Sequence, residues 1–367
     1  MKKKKILFFL VHPAKFHFHK VQINKLIQLG HQIDILITKK DILEDLVKEE
    51  GWDYTNIFPD GRKLKFSKVF ISIPYFFILT IYRLLKYTNN KKYDLYIGDL
   101  LTFIGIIRNV PTLIPTDDVF SAVPQAAILY HSATDIIAPY ITNLGIYNKK
   151  TINYHGYKAV SHLHPNHFRP TRDVLPSKFI GKSFFLIRCT AFLASHDIGK
   201  KGIDDRLLYK IINILKAYGK IIIISERKLP TDLKQYQLDI KKADINHFMY
   251  YAKLFISDST TMTSEAAYLG TPSIEFDDYF HEIDQMLELQ NKYGLIHCFR
   301  TYQEKEFIHK VKELSSIENL KDLYKEKREK LLGNSIDVSS FLVWLYQNYP
   351  KSKKQYFTNP KIQNKFR

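Results

Sequence analysis

The chain has 367 residues, 45% hydrophobic and 25% charged, and carries 55 Lys and Arg against 37 Asp and Glu, a formal net charge of +18. This is the composition of an ordinary globular protein, long for one domain and comfortable for two. Its two cysteines, Cys189 and Cys298, exclude a disulfide framework or a cysteine metal site and point to a reducing cytoplasm.

The N-terminus MKKKKILFFLV stops being apolar at His12-Pro13 and has no small-residue cleavage site, so it reads as a first buried strand rather than a signal peptide. Ile6–Val11 as a strand, a helix over Lys15–Leu29 ended by Gly30, and a strand over Gln32–Thr38 set a βα rhythm; a helix near Asp41–Glu50 ends at Gly51. Apolar runs of this length suit strands buried on both faces, which implies a parallel sheet with crossover helices.

Val69–Tyr82 is fourteen residues without a charge, too short to span a bilayer, which needs about twenty. It reads either as a core helix or as a monotopic patch whose aromatic residues dip into an anionic membrane surface beside Arg83, Lys86, Lys91 and Lys92. Strands follow at Tyr93–Gly98, Thr112–Ile114, Asp135–Ala138 and Thr151–Tyr154, with Asp99, Asp117-Asp118, Pro139 and His155-Gly156 at their ends. His162–Val174 holds three histidines and two prolines with little periodicity and reads as a connection between domains.

A second βα series runs through Phe184–Ile187, Lys220–Ser225 and the stretch from Leu254 to Asp277; helical stretches at Lys305–Leu314, Leu320–Leu332 and Val338–Tyr349 complete it. The expected division is 1–165, 166–350 and a frayed basic tail over 351–367. The excess of positive charge suits nucleotide phosphates, acidic lipid or nucleic acid. No helix–turn–helix, zinc-finger or aromatic RNA-binding pattern accompanies it, so nucleic acid is not an expected partner.

The most informative stretch is LFISDSTTMTSEAAYLGTPSIEFD, strand, hydroxyl-rich turn and helix. Free N–H groups at a helix N-terminus accept an anion, and Ser259, Thr260 and Thr261 add hydroxyl donors there. Glu265, about one and a half turns on, could reach a ribose whose diphosphate sits at the turn. The alternative needs no ligand: Asp258 or Ser259 caps a helix whose Met262, Ala266 and Leu269 face a core.

The pattern DS…E-A…LG-P resembles the nucleotide-sugar signature of GT-B enzymes, especially the non-hydrolysing UDP-N-acetylglucosamine 2-epimerases. By that resemblance Ser259 holds the diphosphate and Glu265 the ribose, with Thr260-Thr261 standing where those epimerases have two glycines. His12-Pro13-Ala14…His17-Phe18, His155-Gly156-Tyr157-Lys158 followed by His164-Pro165-Asn166-His167-Phe168-Arg169-Pro170, and Phe184–Arg188 followed by Ala194–Gly199 are similar to the domain of unknown function 354 family, described as glycosyltransferase-like or epimerase-like. The resemblance implies an α/β chain of GT-B type, two Rossmann-like domains facing across a cleft, with no bound metal.

Ligands of open α/β sheets lie beyond the carboxyl ends of the strands, and His12, His17, Asp99, Asp117, Asp118, Arg188, His196 and Ser259 follow expected strands. For glycosyl transfer, Arg188 with the turn at Ser259–Thr261 would clamp the leaving diphosphate. His17 is the first candidate for the base, Asp117 or Asp118 the second, and His196-Asp197 either touches the diphosphate or caps a helix. A 2-epimerase would instead use Asp99, Asp117 and Asp118 as acid and base, while a non-catalytic nucleotide-sugar-binding protein would need only the clamp. His12 and His155 are expected to line the same cleft. The expectation is a cytoplasmic glycosyltransferase taking a UDP-sugar donor and a lipid-linked or saccharide acceptor in surface polysaccharide or glycolipid synthesis, with peripheral contact at the inner face of the membrane if Val69–Tyr82 is a monotopic patch.

Overall fold

The structure is a computed structural model that describes residues 2–40, 42–59, 61, 69–118, 126–158, 160–190, 202–278 and 280–367. The chain forms two compact units, Met1–His162 with Ser335–Arg367, and Leu163–Asn334.

In the first unit β1 (Lys5–Leu10), α1 (Pro13–Gln28), β2 (Gln32–Ile37), α2 (Leu43–Glu49), β3 (Thr55–Asn56), α3 (Val69–Thr88), β4 (Leu95–Ile97), α4 (Leu101–Arg108), β5 (Thr112–Pro115), α5 (Ala127–Ser132), β6 (Asp135–Pro139) and β7 (Thr151–Tyr154) follow in order. The strands form one parallel sheet in the order β3-β2-β1-β4-β5-β6-β7. Its faces are set by the alternation along β1. Ile6, Phe8 and Leu10 pack with Phe16, Phe18, Ile23 and Leu26 of α1, while Leu7 and Phe9 pack with Leu84 of α3 and Leu101 and Ile104 of α4. Each such side chain contributes about 1.5–3 kcal/mol by leaving water, so a strand apolar on both faces holds two layers at once.

In the second unit β8 (Phe184–Cys189), α6 (Asp205–Leu215), β9 (Lys220–Ser225), α7 (Ile245–Tyr251), β10 (Leu254–Ser257), α8 (Thr260–Tyr268), β11 (Ser273–Phe276), α9 (Asp284–Asn291), β12 (Ile296–Phe299), α10 (Glu304–Ser316) and α11 (Leu320–Asn334) build a five-stranded parallel sheet ordered β12-β11-β10-β8-β9. The helix ends follow from local chemistry. Asp204 caps α6 by accepting from Leu207 N–H at 2.7 Å. Gly270 stops α8 at φ +81°, where a β-carbon would lie 2.6 Å from Arg328 Cδ.

The chain then returns to the first unit as α12 (Val338–Asn348) and α13 (Lys351–Thr358), followed by a 3-10 segment Pro360–Phe366. This corrects two expectations, that the second domain runs to 350 and that 351–367 is frayed. Phe341, Leu342, Leu345, Tyr346 and Tyr356 join the α1 side of the first core. The Tyr356 hydroxyl donates to Asn153 O at 2.8 Å and accepts from Asn153 N–H at 3.0 Å, pinning the tail to β7. Lys353 pairs at 2.6 Å with Asp135, whose side chain is fully buried and also accepts from the Tyr349 hydroxyl. The sequence suggested fraying because the tail is polar and basic; one of those charges, Lys353, pairs with the sheet's own buried acid. Gly156, at φ +152°, lets α12 close on the end of β7, since a β-carbon there would meet Val338 Cγ2 at 2.6 Å.

Removing the amine from that pair strands a buried carboxylate, which costs about 3–5 kcal/mol. Lys353→Met is therefore expected to lower the stability of the first unit at pH 7 by an amount of that order. Burial raises the Asp135 pKa, the Lys353 and Tyr349 contacts acting against it, so in the variant the penalty shrinks as acid protonates the carboxyl. Denaturant unfolding at pH 7 and pH 5 measures both.

Candidate functional site

Each sheet changes winding direction at one point, and the candidate residues collect there. In the second sheet the crevice lies between β8 and β10, where Arg188, next to last in β8, pairs opposite Ser257 at the end of β10. Asp258 follows β10 directly. It does not cap the next helix; its carboxylate accepts from Thr190 N–H at 2.8 Å and Ile203 N–H at 3.1 Å, tying both ends of the segment after β8 to β10. Burial holds this carboxyl up near 6 against the pull of those two N–H groups.

With Asp258 occupied, Ser259 takes the N-cap position of α8 with extended backbone and makes no side-chain cap bond. The capping alternative therefore fails on both residues. Thr261, the most exposed residue of the turn, and Thr260 sit in the helix's first turn beside N–H groups that the helix itself does not satisfy. Glu265 lies about 7.5 Å further along the axis. Glu265 itself is half-buried; the desolvation it undergoes pushes its carboxyl up to about 8, and no hydrogen bond or ion pair engages it among the described residues. Beneath α8, Glu275 on β11 is wholly buried and its carboxyl is pushed well above the usual range by that burial, then by Asp277 beside it.

Arg188 stands at the crevice as expected but is already paired with Glu226 on the segment after β9. Its Nε is buried and makes no hydrogen bond among the described residues, and the Glu226 pair partly neutralises its charge. His196 lies outside the described residues, as does the rest of 191–201.

In the first sheet the switch falls between β1 and β4. A cavity of about 680 Å³ opens there, lined by Val11, His12, Thr38, Lys39, Lys40, Asp99, Leu100 and Leu129. Lys15 of α1 reaches Asp99 at 2.8 Å and Pro115 O at 3.4 Å. Lys158 pairs with Asp117. Asp118, an exposed residue, adds a third carboxyl whose pKa is raised by partial desolvation and then by Asp117, with Lys158 and Lys15 pulling the other way. The three expected aspartates are thus brought together, around two lysines the motif reading did not assign roles. Lys15 had a signal: a cation in the first turn opposes the helix dipole and needs a carboxylate partner. Lys158 lay in plain view in the HGYK block.

His17 does not join them. Lys15 and His17 are two residues apart on α1, about 200° around the axis. The His17 ring sits 5.5 Å from that of His162, and burial followed by the Lys20 charge lowers it to about 4. It is a neutral, weakly basic imidazole, not one poised near neutrality. His12 caps α1, its Nδ1 accepting from Ala14 N–H at 3.1 Å. His155 stacks against Tyr140 at 4.9 Å while its backbone binds Gln363 Oε1 and Ile336 N–H. Both have structural roles whatever else they touch. No group of three or more His, Cys, Asp or Glu among the described residues has metal-site geometry.

No family model and no curated protein sequence matches the chain. Solved structures do. MnaA of S. aureus in complex with UDP is 14% identical over 93% of this chain and 95% of its own, with a TM-score of 0.64. A Listeria monocytogenes protein assigned as a UDP-N-acetylglucosamine 2-epimerase is 11% identical over 94% and 95%, with a TM-score of 0.65. The spinosyn rhamnosyltransferase SpnG complexed with thymidine diphosphate is 11% identical over 94% and 100%, with a TM-score of 0.63. The chain has the GT-B fold, shared by glycosyltransferases and 2-epimerases.

The raised Glu265 pKa carries a stability consequence. Between its ordinary value of 4.5 and about 8 the folded chain keeps a proton that the unfolded chain gives up, so this group destabilises the fold progressively as pH rises through that window. Glu265→Gln is expected to raise the melting temperature relative to the parent, by little near pH 5 and most near pH 8, with no further gain above. A constant difference across that range would contradict the burial of this carboxyl.

Proposed function

We propose that the chain binds a uridine diphosphate sugar on its second unit and transfers the sugar to a saccharide or lipid-linked acceptor in surface polysaccharide or glycolipid synthesis. The observation that carries this reading is Glu265, a carboxyl held near 8 without a partner, one and a half turns from an uncapped helix N-terminus. A half-buried carboxyl that meets no protein donor among the described residues is left to the ligand, and a ribose supplies two hydroxyl donors for it. The diphosphate meets the first N–H groups of α8 and the hydroxyls of Ser259, Thr260 and Thr261. Arg188, released in part from Glu226, neutralises charge that grows on the departing diphosphate, where stabilisation accelerates transfer.

On the first unit Asp118 replaces His17 as the proposed base. It makes no ion pair or side-chain hydrogen bond among the described residues, unlike Asp99 and Asp117, and its raised pKa increases its basicity. Lys15 and Lys158 hold its neighbours in place. The scheme uses no bound metal.

A second reading, a UDP-sugar 2-epimerase, is favoured by one observation: three carboxyls and two lysines collect at the ends of β4 and β5. Proton removal at a sugar carbon and protonation from the other face need such a set of acids and bases.

Thermal shift with UDP, UDP-N-acetylglucosamine, TDP and GDP-mannose tests the donor. The uridine ligands are expected to raise the melting temperature by mass action, with affinity falling roughly 10- to 100-fold in Glu265→Ala and about tenfold in Ser259→Ala. No shift with any nucleotide would overturn the donor site. UDP release with acceptor, against deuterium entry at C2 in heavy water, separates transferase from epimerase, and Asp118→Asn is expected to stop whichever occurs while leaving donor binding intact. Binding without either reaction would leave a nucleotide-sugar-binding protein.

A further inference from the structure

The outer surface of α3 and α4 is built against ordinary rules for a solvated helix. The inner face of α3 is accounted for: Phe76, Leu79, Leu84, Leu85 and Tyr87 pack on the core around Leu7 and Phe9. The solvent face should then be polar. Instead it presents Tyr75, Ile78 and Tyr82 at i, i+3 and i+7, with Ile78 67% and Tyr82 60% exposed, and Phe77 beside them. α4, packed against α3, adds Ile106 and Ile107, 63% and 59% exposed. Single exposed apolar residues mean nothing; a contiguous row on adjacent helices does.

Every charged residue on α3, α4 and the stretch from α3 to residue 93 is basic. Exposed Lys86 continues the α3 stripe at i+11, Lys91 and Lys92 follow, and Arg108 lies beside the end of α3, donating to Leu85 O at 3.2 Å and Asn89 Oδ1 at 3.3 Å. No Asp or Glu occurs from 69 through 93 or from 100 through 116. Arg83 is not part of this set, since it turns inward to Ile57 O and the Phe58 ring. Among the described residues no helix is long and apolar enough to cross a membrane.

We infer that the α3–α4 face of the first unit docks on an anionic lipid surface, with Tyr75, Ile78, Tyr82, Ile106 and Ile107 entering the interface and Lys86, Lys91, Lys92 and Arg108 meeting the headgroups. An apolar row with aromatic members, a purely basic border and one face already anchored to a rigid sheet is the arrangement of an element that lies in the interface plane. A protein partner would match the apolar row but gives no reason for the absence of acids around it. The inference stands apart from the nucleotide site.

Cosedimentation of the full chain with vesicles of phosphatidylcholine, with and without about a quarter phosphatidylglycerol, tests it. Binding is expected to the anionic vesicles only, to weaken as salt rises, and to fall roughly tenfold or more in Ile78→Glu/Tyr82→Glu and in Lys86→Glu/Arg108→Glu. Ile146→Glu, an exposed apolar residue outside α3 and α4, is expected to bind like the parent. All these variants should keep the parent's melting temperature and its nucleotide response. Equal binding to neutral vesicles, salt-independent binding by the parent, or no loss in either double variant would overturn the inference. So would a concentration-dependent dimer, seen by analytical ultracentrifugation, that Ile78→Glu dissociates.

Discussion

The arrangement of the second unit depends on where one carboxylate spends its lone pairs. Asp258 sits one residue before the N-cap of α8 and binds the backbone N–H groups of Thr190 and Ile203. Those bonds fix Thr190 and Ile203 at the end of β10, while the N-cap residue Ser259 makes no side-chain cap bond to the first turn of α8. An uncapped helix start is a standing demand for an anion. Glu265, raised by burial and unengaged, adds a demand for hydrogen-bond donors a short distance along the same helix. The two demands together match the two ends of a nucleoside diphosphate better than any cap matches either.

The first unit answers with a different balance. Its candidate site is a set of acids whose charges are largely matched by Lys15 and Lys158, and whose least matched member is Asp118. Two of the three carboxyls are held in ion pairs with lysines, and the third, Asp118, has a pKa raised by partial desolvation and then by Asp117. That division yields a base without invoking His17, which burial keeps neutral beside His162.

Much of this was legible from the order of residues. Strand runs apolar on both faces, glycines after helices and the hydroxyl-rich turn after β10 are all local signals, and the observed elements follow from them; the GT-B fold was implied by the resemblance of the DS…E-A…LG-P stretch to nucleotide-sugar enzymes. The path of the last thirty residues was less so: the pairing of Lys353 with Asp135 spans the chain, and no local pattern encodes it. The same limit explains the histidines. A histidine after a strand looks poised to act, but the rotation of α1 decides that Lys15 reaches Asp99 while His17 meets His162. Likewise Ser259 and Glu265 could be singled out from spacing, whereas the failure of Asp258 to cap required its distant partners.

Calorimetric titration with UDP-N-acetylglucosamine near pH 7.5, in buffers of different ionisation enthalpy, tests the central claim most directly, because the diphosphate diester itself does not titrate there. Ribose hydroxyls that donate to Glu265 stabilise its carboxylate and lower its pKa, so binding should release a substantial fraction of one proton. The release should vanish in Glu265→Gln, with weaker binding remaining. Tight binding with no proton release in the parent, or the same release in both proteins, would contradict the placement of the ribose on Glu265 and with it the nucleotide site on α8.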